Sequence, residues 1–376
     1  MKTKIRFITR GDHRDRQVWS GTISYMAEYL GHNYDVSFSR VDTKLVNILI
    51  LWLNRISKIL SLGKNARSPF APHLYKILLE KSINNSDAEI IFVPCLSEQI
   101  AYCNFNKPVI YLNDATYHAM LDYYYMNRSE HDKRLGNKYE KIAIEKSNFL
   151  IFSSEWAAKD AIMYYKAQKD KIRVLPFGAN LGEIRGREKQ TPNFDRISIL
   201  FVGINWKRKG GDIAINTTKW LVEHDKSRNY SIDIVGADSI PGYEKETFVR
   251  YHGKIDKNKP EQVKFLEDLY KNATFYLCPT KAECAGITFC EASGYGLPIL
   301  TYSTGGVNTY VKNGINGYTL PRDNNYEDFG KKILEILENG EYSKLSSGAS
   351  AMYEKELNWS VWLEGFDQIV EEIIHK

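Results

Sequence analysis

Two glutamates eight positions apart, Glu283 and Glu291, close the run Glu283-Cys-Ala-Gly-Ile-Thr-Phe-Cys-Glu291. The turn Pro279-Thr280 precedes it, and Gly286-Ile287-Thr288 falls where a helix should begin. A helix starting there points its first free N–H groups outward, which makes an anion site. Glu291, one turn in, would reach ribose hydroxyls while Glu283, on the loop, stays nearer a reacting sugar. A second run, Phe201-Val-Gly-Ile-Asn-Trp-Lys-Arg-Lys-Gly-Gly211, places Lys207, Arg208 and Lys209 in a short loop before Gly210-Gly211. The glycines permit a tight turn and close backbone approach, and the cations neutralise phosphate. A third run ends a helix at Gly296, continues as a strand and closes on Gly305-Gly306. Together the three runs converge on a nucleotide diphosphate. Singly, each has a plainer reading: a solvated basic face, or two surface glutamates flanking a buried helix.

Two further segments bear on what such a group would react with. Tyr111-Leu-Asn-Asp-Ala-Thr-Tyr-His118 ends a strand, and Tyr117, Tyr123, Tyr124 and Tyr125 cluster behind it. These rings would stack on sugar faces or form a half-buried helix face. Thr43 to Leu62 is strongly apolar with helical character, and Lys44, Arg55, Lys58, Lys64 and Arg67 flank or punctuate it. Such a helix either lies on an anionic membrane or packs against its own sheet.

Placing these residues requires strands that end at a common edge. Strand candidates are Lys4–Thr9, Tyr34–Ser39, Glu89–Pro94, Pro108–Leu112, Asn148–Ser153, Ile197–Gly203, Ser231–Val235, Thr274–Cys278 and Pro298–Tyr302. Most are rich in Ile, Val, Phe and Leu, as strands covered on both faces must be. Helical periods lie between them, as at Gly211–Glu223, Glu261–Lys271 and Tyr326–Glu338. The alternation predicts an α/β fold with parallel sheets. It restarts after the polar stretch 180–196, the best linker candidate. The expectation is two doubly wound, Rossmann-like domains, 1–185 and 186–358, facing across a cleft. A last helix over 359–376 is expected to pack back on the first domain.

Bulk composition narrows the partners. The 376 residues hold 51 Lys+Arg and 46 Asp+Glu, and a net charge of +5 is too small to imply nucleic-acid binding. Residues 1–180 carry 26 basic against 18 acidic side chains, and 181–376 carry 25 against 28, so the first half is the basic one. No apolar run reaches the roughly 18–20 residues that span a bilayer, and the start lacks the apolar stretch of a signal peptide. Five cysteines without a CxxC argue against zinc or a disulfide framework and fit reduced thiols near the core. A cytoplasmic location follows, at the inner face of the cell membrane if the apolar helix makes that contact.

The run Glu283–Pro298, with Gly305-Gly306 and Asn313-Gly-Ile-Asn-Gly317 behind it, resembles the retaining family 4 glycosyltransferases (glycosyl transferases group 1) of the GT-B fold. Lys209-Gly210 after Phe201-Val-Gly203, and Trp19-Ser-Gly-Thr22 after the first strand, belong to the same pattern. The resemblance is close over most of 195–320 and loose before it. It implies transfer of a sugar from a nucleotide diphosphate sugar, UDP- or GDP-linked, to a glycan or glycolipid acceptor, with retention and with neither metal nor cofactor. Cell-envelope or polysaccharide synthesis is the implied setting. Carried onto this chain, Lys209 and Arg208 hold the diphosphate, and the N–H groups of Gly286, Ile287 and Thr288 complete the cradle. Glu291 binds the ribose and Glu283 the sugar hydroxyls near the anomeric centre. Gly21 lets its loop approach the diphosphate. Asp114, then His118, contacts the sugar or orients the acceptor. The chain departs from the pattern at Ile204, where relatives carry Arg, at Ala285 for Phe, and at Asn308-Thr309 for Pro-Glu. An epimerase acting on the nucleotide sugar, or a non-catalytic partner that binds it, would share the architecture.

Overall fold

The computed structural model describes residues 2–59, 67–182, 184 and 192–375, and leaves out the side chains of Ser57 and Lys58. The chain divides into two compact units, Met1–Leu175 with Leu363–Lys376, and Pro176–Trp362.

The first unit holds a six-stranded sheet of β1 (Lys4–Thr9), β2 (Asp35–Arg40), β3 (Ile90–Pro94), β4 (Val109–Asn113), β5 (Phe149–Phe152) and β6 (Ile172–Val174), in the order β2-β1-β3-β4-β5-β6. The second holds β7 (Arg196–Val202), β8 (Asn229–Val235), β9 (Val249–Gly253), β10 (Phe275–Leu277), β11 (Ile299–Tyr302) and β12 (Gly317–Leu320), in the order β12-β11-β10-β7-β8-β9. The named strands pair in parallel throughout. Each sheet is covered by helices, so β3, β4, β5, β10 and β11 are buried along their whole length.

Strand order decides what can meet. In the first unit β1, β3 and β4 are neighbours, so the residues that leave them, Arg10, Cys95 and Asp114, share one sheet edge. In the second, β11, β10 and β7 are neighbours, which brings together the Gly305-Gly306 turn, the Glu283 loop and the basic turn. The carboxyl edge of a parallel sheet is where such folds bind ligands.

The division at Leu175/Pro176 comes ten residues before the expected boundary at 185. Phe177, Ala179, Leu181 and Ile184 are buried in the second unit's core, so this stretch is not a free linker. The more polar part of the proposed linker, residues 183 and 185–191, lies outside the described residues. The final helix, Trp359–Ile374, starts in the second unit, where Trp359 Nε1 donates to Asn180 Oδ1 at 2.9 Å. From Leu363 it belongs to the first unit, where Phe366 meets Phe92 edge-on and Asp367 accepts from Asn33 and Tyr34.

The helix Lys44–Ile59 buries little of its apolar surface. Val46 is buried, whereas Leu45 is 68% exposed, Trp52 63% and Ile59 81%, and Ile48, Leu49, Leu51 and Ile56 are exposed as well. Packing against its own sheet therefore accounts for only a fraction of its hydrophobic residues. Lys64 lies outside the described residues, and Arg67 is no free flanking cation: it pairs with Glu98 at 2.6 Å and Asp132 at 3.2 Å. No described helix is long and apolar enough to cross a membrane.

Candidate functional site

In the second unit the basic turn is shaped by glycines. β7 runs into Gly203, where a Cβ would sit 2.9 Å from Lys209 Cγ, so glycine gives the lysine stem room. Asn205 caps the short helix Trp206–Lys209, its Oδ1 accepting from the Arg208 N–H at 3.0 Å. Gly210 then takes φ +75°, and a Cβ there would lie 2.2 Å from the carbonyl oxygen of Pro279. The turn is thus pressed against the loop that carries Glu283, and the Arg208 carbonyl accepts from the Lys281 N–H at 2.7 Å.

This packing delivers two cations to one carboxylate. Lys209 Nζ donates to Glu283 Oε2, and Arg208 Nη1 stands 3.6 Å from the same oxygen while donating to the Ala282 carbonyl at 2.7 Å. Glu283 is buried, and its carbonyl accepts from the Gly306 N–H at 3.0 Å, which ties the loop to the Gly305-Gly306 turn. Lys207 points into solvent, so Arg208 is the second cation of the cluster. Beneath it, burial pushes the Cys278 thiol up to about 11, which leaves it protonated and unsuited to nucleophilic attack.

The helix Ile287–Gly294 begins four residues beyond Glu283. Gly286 is its N-cap and no side chain caps it, so the first-turn N–H groups keep their capacity for an anion. A Cβ at Gly286 would lie 2.3 Å from the Phe289 ring. Glu291 differs from its expected posture. It is wholly buried, with Oε1 2.6 Å from Lys257 Nζ and Oε2 accepting from the Tyr270 hydroxyl at 2.8 Å. Burial holds the Tyr270 hydroxyl well above its usual range, so it stays a hydrogen-bond donor. The Lys257 ammonium also donates to the Asn180 carbonyl at 3.2 Å. Lys257 and Tyr270 were not legible as site residues: they lie 34 and 21 positions from Glu291, in a polar loop and an ordinary helix.

The first unit contains a cavity of about 580 Å³ at the edge shared by β1, β3 and β4. Asp114 lines it, with Arg10, Arg55, Arg67, Cys95 and Glu140 among its neighbours. Its floor is a polar network. The Asn113 amide donates to Glu140 at 3.0 Å, and the Tyr111 hydroxyl donates to Glu140 at 3.1 Å. The Cys95 thiol donates to Asn113 Oδ1 at 3.1 Å. Burial pushes the Glu140 carboxyl up to about 7. Cys95 is an exposed free thiol, unlike the other four cysteines, which are buried as expected.

Two acceptor candidates turn out otherwise than expected. Tyr117 touches the cavity, but its hydroxyl donates to Asp132 Oδ2 at 2.8 Å and its ring carries the Arg67 guanidinium at 4.8 Å, so it is a buried wall rather than a stacking platform. His118 lies outside the cavity lining: Nδ1 is 2.8 Å from Asp160 Oδ1 and the ring stacks on Tyr164 at 3.6 Å. The helix that carries both covers only Tyr117–Met120, so Tyr123, Tyr124 and Tyr125 are on a turn, not a helix face. Gly21 is buried at φ +93°, after Trp19 and Ser20 at +48° and +57°, and caps the helix Thr22–Asn33. No group of three or more His, Cys, Asp or Glu able to hold a metal occurs among the described residues.

Residues 184–350 match the family described as glycosyl transferases group 1. A D-inositol 3-phosphate glycosyltransferase of Corynebacterium aurimucosum is 23% identical over 243 residues, 59% of this chain and 56% of that protein. The chain thus spans about half the length of the curated relatives it matches. Among solved structures, a glycosyltransferase from Rickettsia africae aligns over 99% of both chains with a TM-score of 0.68 at 17% identity. The Anabaena HepE protein, solved with UDP and glucose, aligns over 100% of both chains with a TM-score of 0.65 at 13% identity. The fold is that of the GT-B glycosyltransferases.

Proposed function

We propose, from the match of residues 184–350 to the glycosyl transferases group 1 family, that this protein is a retaining glycosyltransferase using a nucleotide diphosphate sugar, UDP- or GDP-linked. The observation that carries the reading is the convergence of Lys209 and Arg208 on Glu283 beside the uncapped helix at Gly286. Two cations and a helix N-terminus counter the charge of a departing diphosphate without calling on a metal. The N–H groups of Gly286, Ile287 and Thr288 cradle the phosphates, and Glu283, released from its lysine, accepts from hydroxyls of the transferred sugar. Glu291 takes the ribose in exchange for Lys257. In the reaction the bond from the anomeric carbon to the phosphate oxygen breaks. The acceptor oxygen bonds to that carbon on the same face, and its proton passes to the leaving phosphate. No carboxylate nucleophile is needed on this path.

The acceptor, a saccharide or lipid-linked saccharide of envelope or polysaccharide synthesis, enters the first unit's cavity, where Asp114 orients its hydroxyl. The exposed ladder Leu45, Ile48, Leu49, Trp52, Ile56 and Ile59, with Lys44 and Arg55 beside it, supports peripheral contact with an anionic membrane. Flotation with anionic vesicles should carry the protein at low salt and release it at high salt. No binding at low salt removes the membrane from the reading.

A thermal-shift series with UDP, GDP and ADP, then their sugars, tests the nucleotide reading. A ligand at about 100 times its dissociation constant stabilises by roughly 2.7 kcal/mol. Failure of all of them to shift the transition would overturn it, and release of an isomerised sugar nucleotide would point to an epimerase instead.

A further inference from the structure

Resting on the reading of the first unit as the acceptor side, we propose that the acceptor is an anionic saccharide, its phosphate or carboxylate held by Arg10 and Arg55 while a hydroxyl reaches Asp114. The argument is one of which charges in the cavity are already spent. Four arginines line it. Arg67 is committed to Glu98 and Asp132, and Arg128 lies 3.6 Å from Asp132 and over the Tyr125 ring. Arg10 and Arg55 are exposed, and among the described residues neither forms an ion pair.

The acidic side of the lining is more nearly consumed. Glu98 is held by Arg67, and Glu140 sits at the buried floor under two hydrogen bonds. Its carboxyl is pushed up to about 7, which removes much of its negative charge at neutral pH. An entering ligand therefore meets two guanidiniums without a carboxylate partner among the described residues, Arg10, which is hydrogen-bonded to the neutral Tyr75 hydroxyl, and Arg55, together with one carboxylate, Asp114.

Position adds direction. Arg10 leaves β1 at the edge where Asp114 leaves β4, and Arg55 comes from the helix Lys44–Ile59, which also lends Ile50, Leu51 and Asn54 to the wall. A guanidinium's fork matches the paired oxygens of phosphate and carboxylate. At about 580 Å³ the cavity has the volume of an ordinary small-ligand site.

Calorimetry on the full chain, in a Lys209→Ala background that weakens phosphate binding in the second unit, decides the matter. The probes are glucose 6-phosphate, glucuronate and glucose. At least one of the charged sugars should bind more tightly than glucose. Replacing both arginines (Arg10→Ala with Arg55→Ala) should weaken that sugar by about tenfold or more, while Arg10→Lys with Arg55→Lys restores part of the loss. Which charged sugar responds identifies phosphate or carboxylate as the group read. Binding of both charged sugars that is no tighter than glucose, undetectable, or indifferent to the double alanine change overturns the proposal. Nucleoside diphosphate binding by the parent protein, measured alongside, separates that failure from failure of the transferase reading.

Discussion

The turn in the second unit and the cavity in the first are both built at the carboxyl edge of a parallel sheet, yet they handle charge in opposite ways. Around Glu283 the cations are paired and packed, held by glycines that leave no room for a Cβ. Around Asp114 the cavity is open, two arginines lack ion-pair partners among the described residues, and the buried acid is driven toward neutrality. A closely packed cation cluster suits a diphosphate whose shape does not vary. An open cavity with uncommitted charge suits a ligand that differs from one enzyme to another.

The contrast breaks most severely at Gly210. A methyl there meets the Pro279 carbonyl at 2.2 Å with the backbone at φ +75°, so strain and overlap act together. Gly210→Ala should cost about 4 kcal/mol, read from urea unfolding. Gly340→Ala is the control: its φ of +67° carries the strain alone, with open space around it, and about 1 kcal/mol is expected. Equal losses at the two positions would show that the turn is not as tightly pressed as its geometry implies.

Lys209→Ala comes next. The lysine contacts Glu283 and stands where the leaving group's charge develops in the proposed reaction. Turnover should fall by about 10²-fold, equivalent to about 2.7 kcal/mol of barrier. Parental turnover in the variant would remove Lys209 from the mechanism and leave the second unit's cluster a structural ion pair.

The same contrast explains what could be read from sequence. The residues of the second unit's cluster fall in short contiguous runs whose glycines and charges carry local meaning, so it was legible that Lys209, Glu283 and Gly286 come together. The central strands were legible too, because burial on both faces leaves an unbroken apolar run. β6, β9 and β12 were not. All three stand at sheet edges and are three to five residues long, and neither β6 nor β9 has a buried residue. Lys257, Tyr270, Arg10 as a cavity residue and Glu140 were missed for a different reason. Their roles arise from contacts across tens of residues, and nothing in their own neighbourhoods announces a partner. His118 was singled out by the resemblance and Tyr117 by its aromatic cluster, and the fold pairs them with Asp160 and Asp132 respectively.

The subtlest effect lies at the cavity floor. Glu140 normally ionises near 4.5, but burial raises its carboxyl to about 7 in the folded chain. Between those values the folded state binds more protons than the unfolded one, so stability falls as pH rises through this window. The shift, which already includes the lowering by hydrogen bonds from Ser97, Asn113 and Tyr111, corresponds to about 3 kcal/mol. Glu140→Gln keeps an acceptor for the donors from Ser97, Asn113 and Tyr111 and removes the charge. It should therefore change stability little at pH 5 and raise it by about 2 kcal/mol at pH 8, measured by urea unfolding at the two values. If the variant is no more stable than the parent at pH 8, Glu140 ionises there without cost. The cavity would then carry a full additional negative charge at its floor, the selectivity for anionic saccharides would lose part of its basis, and the two sites would differ less in electrostatics than their packing suggests.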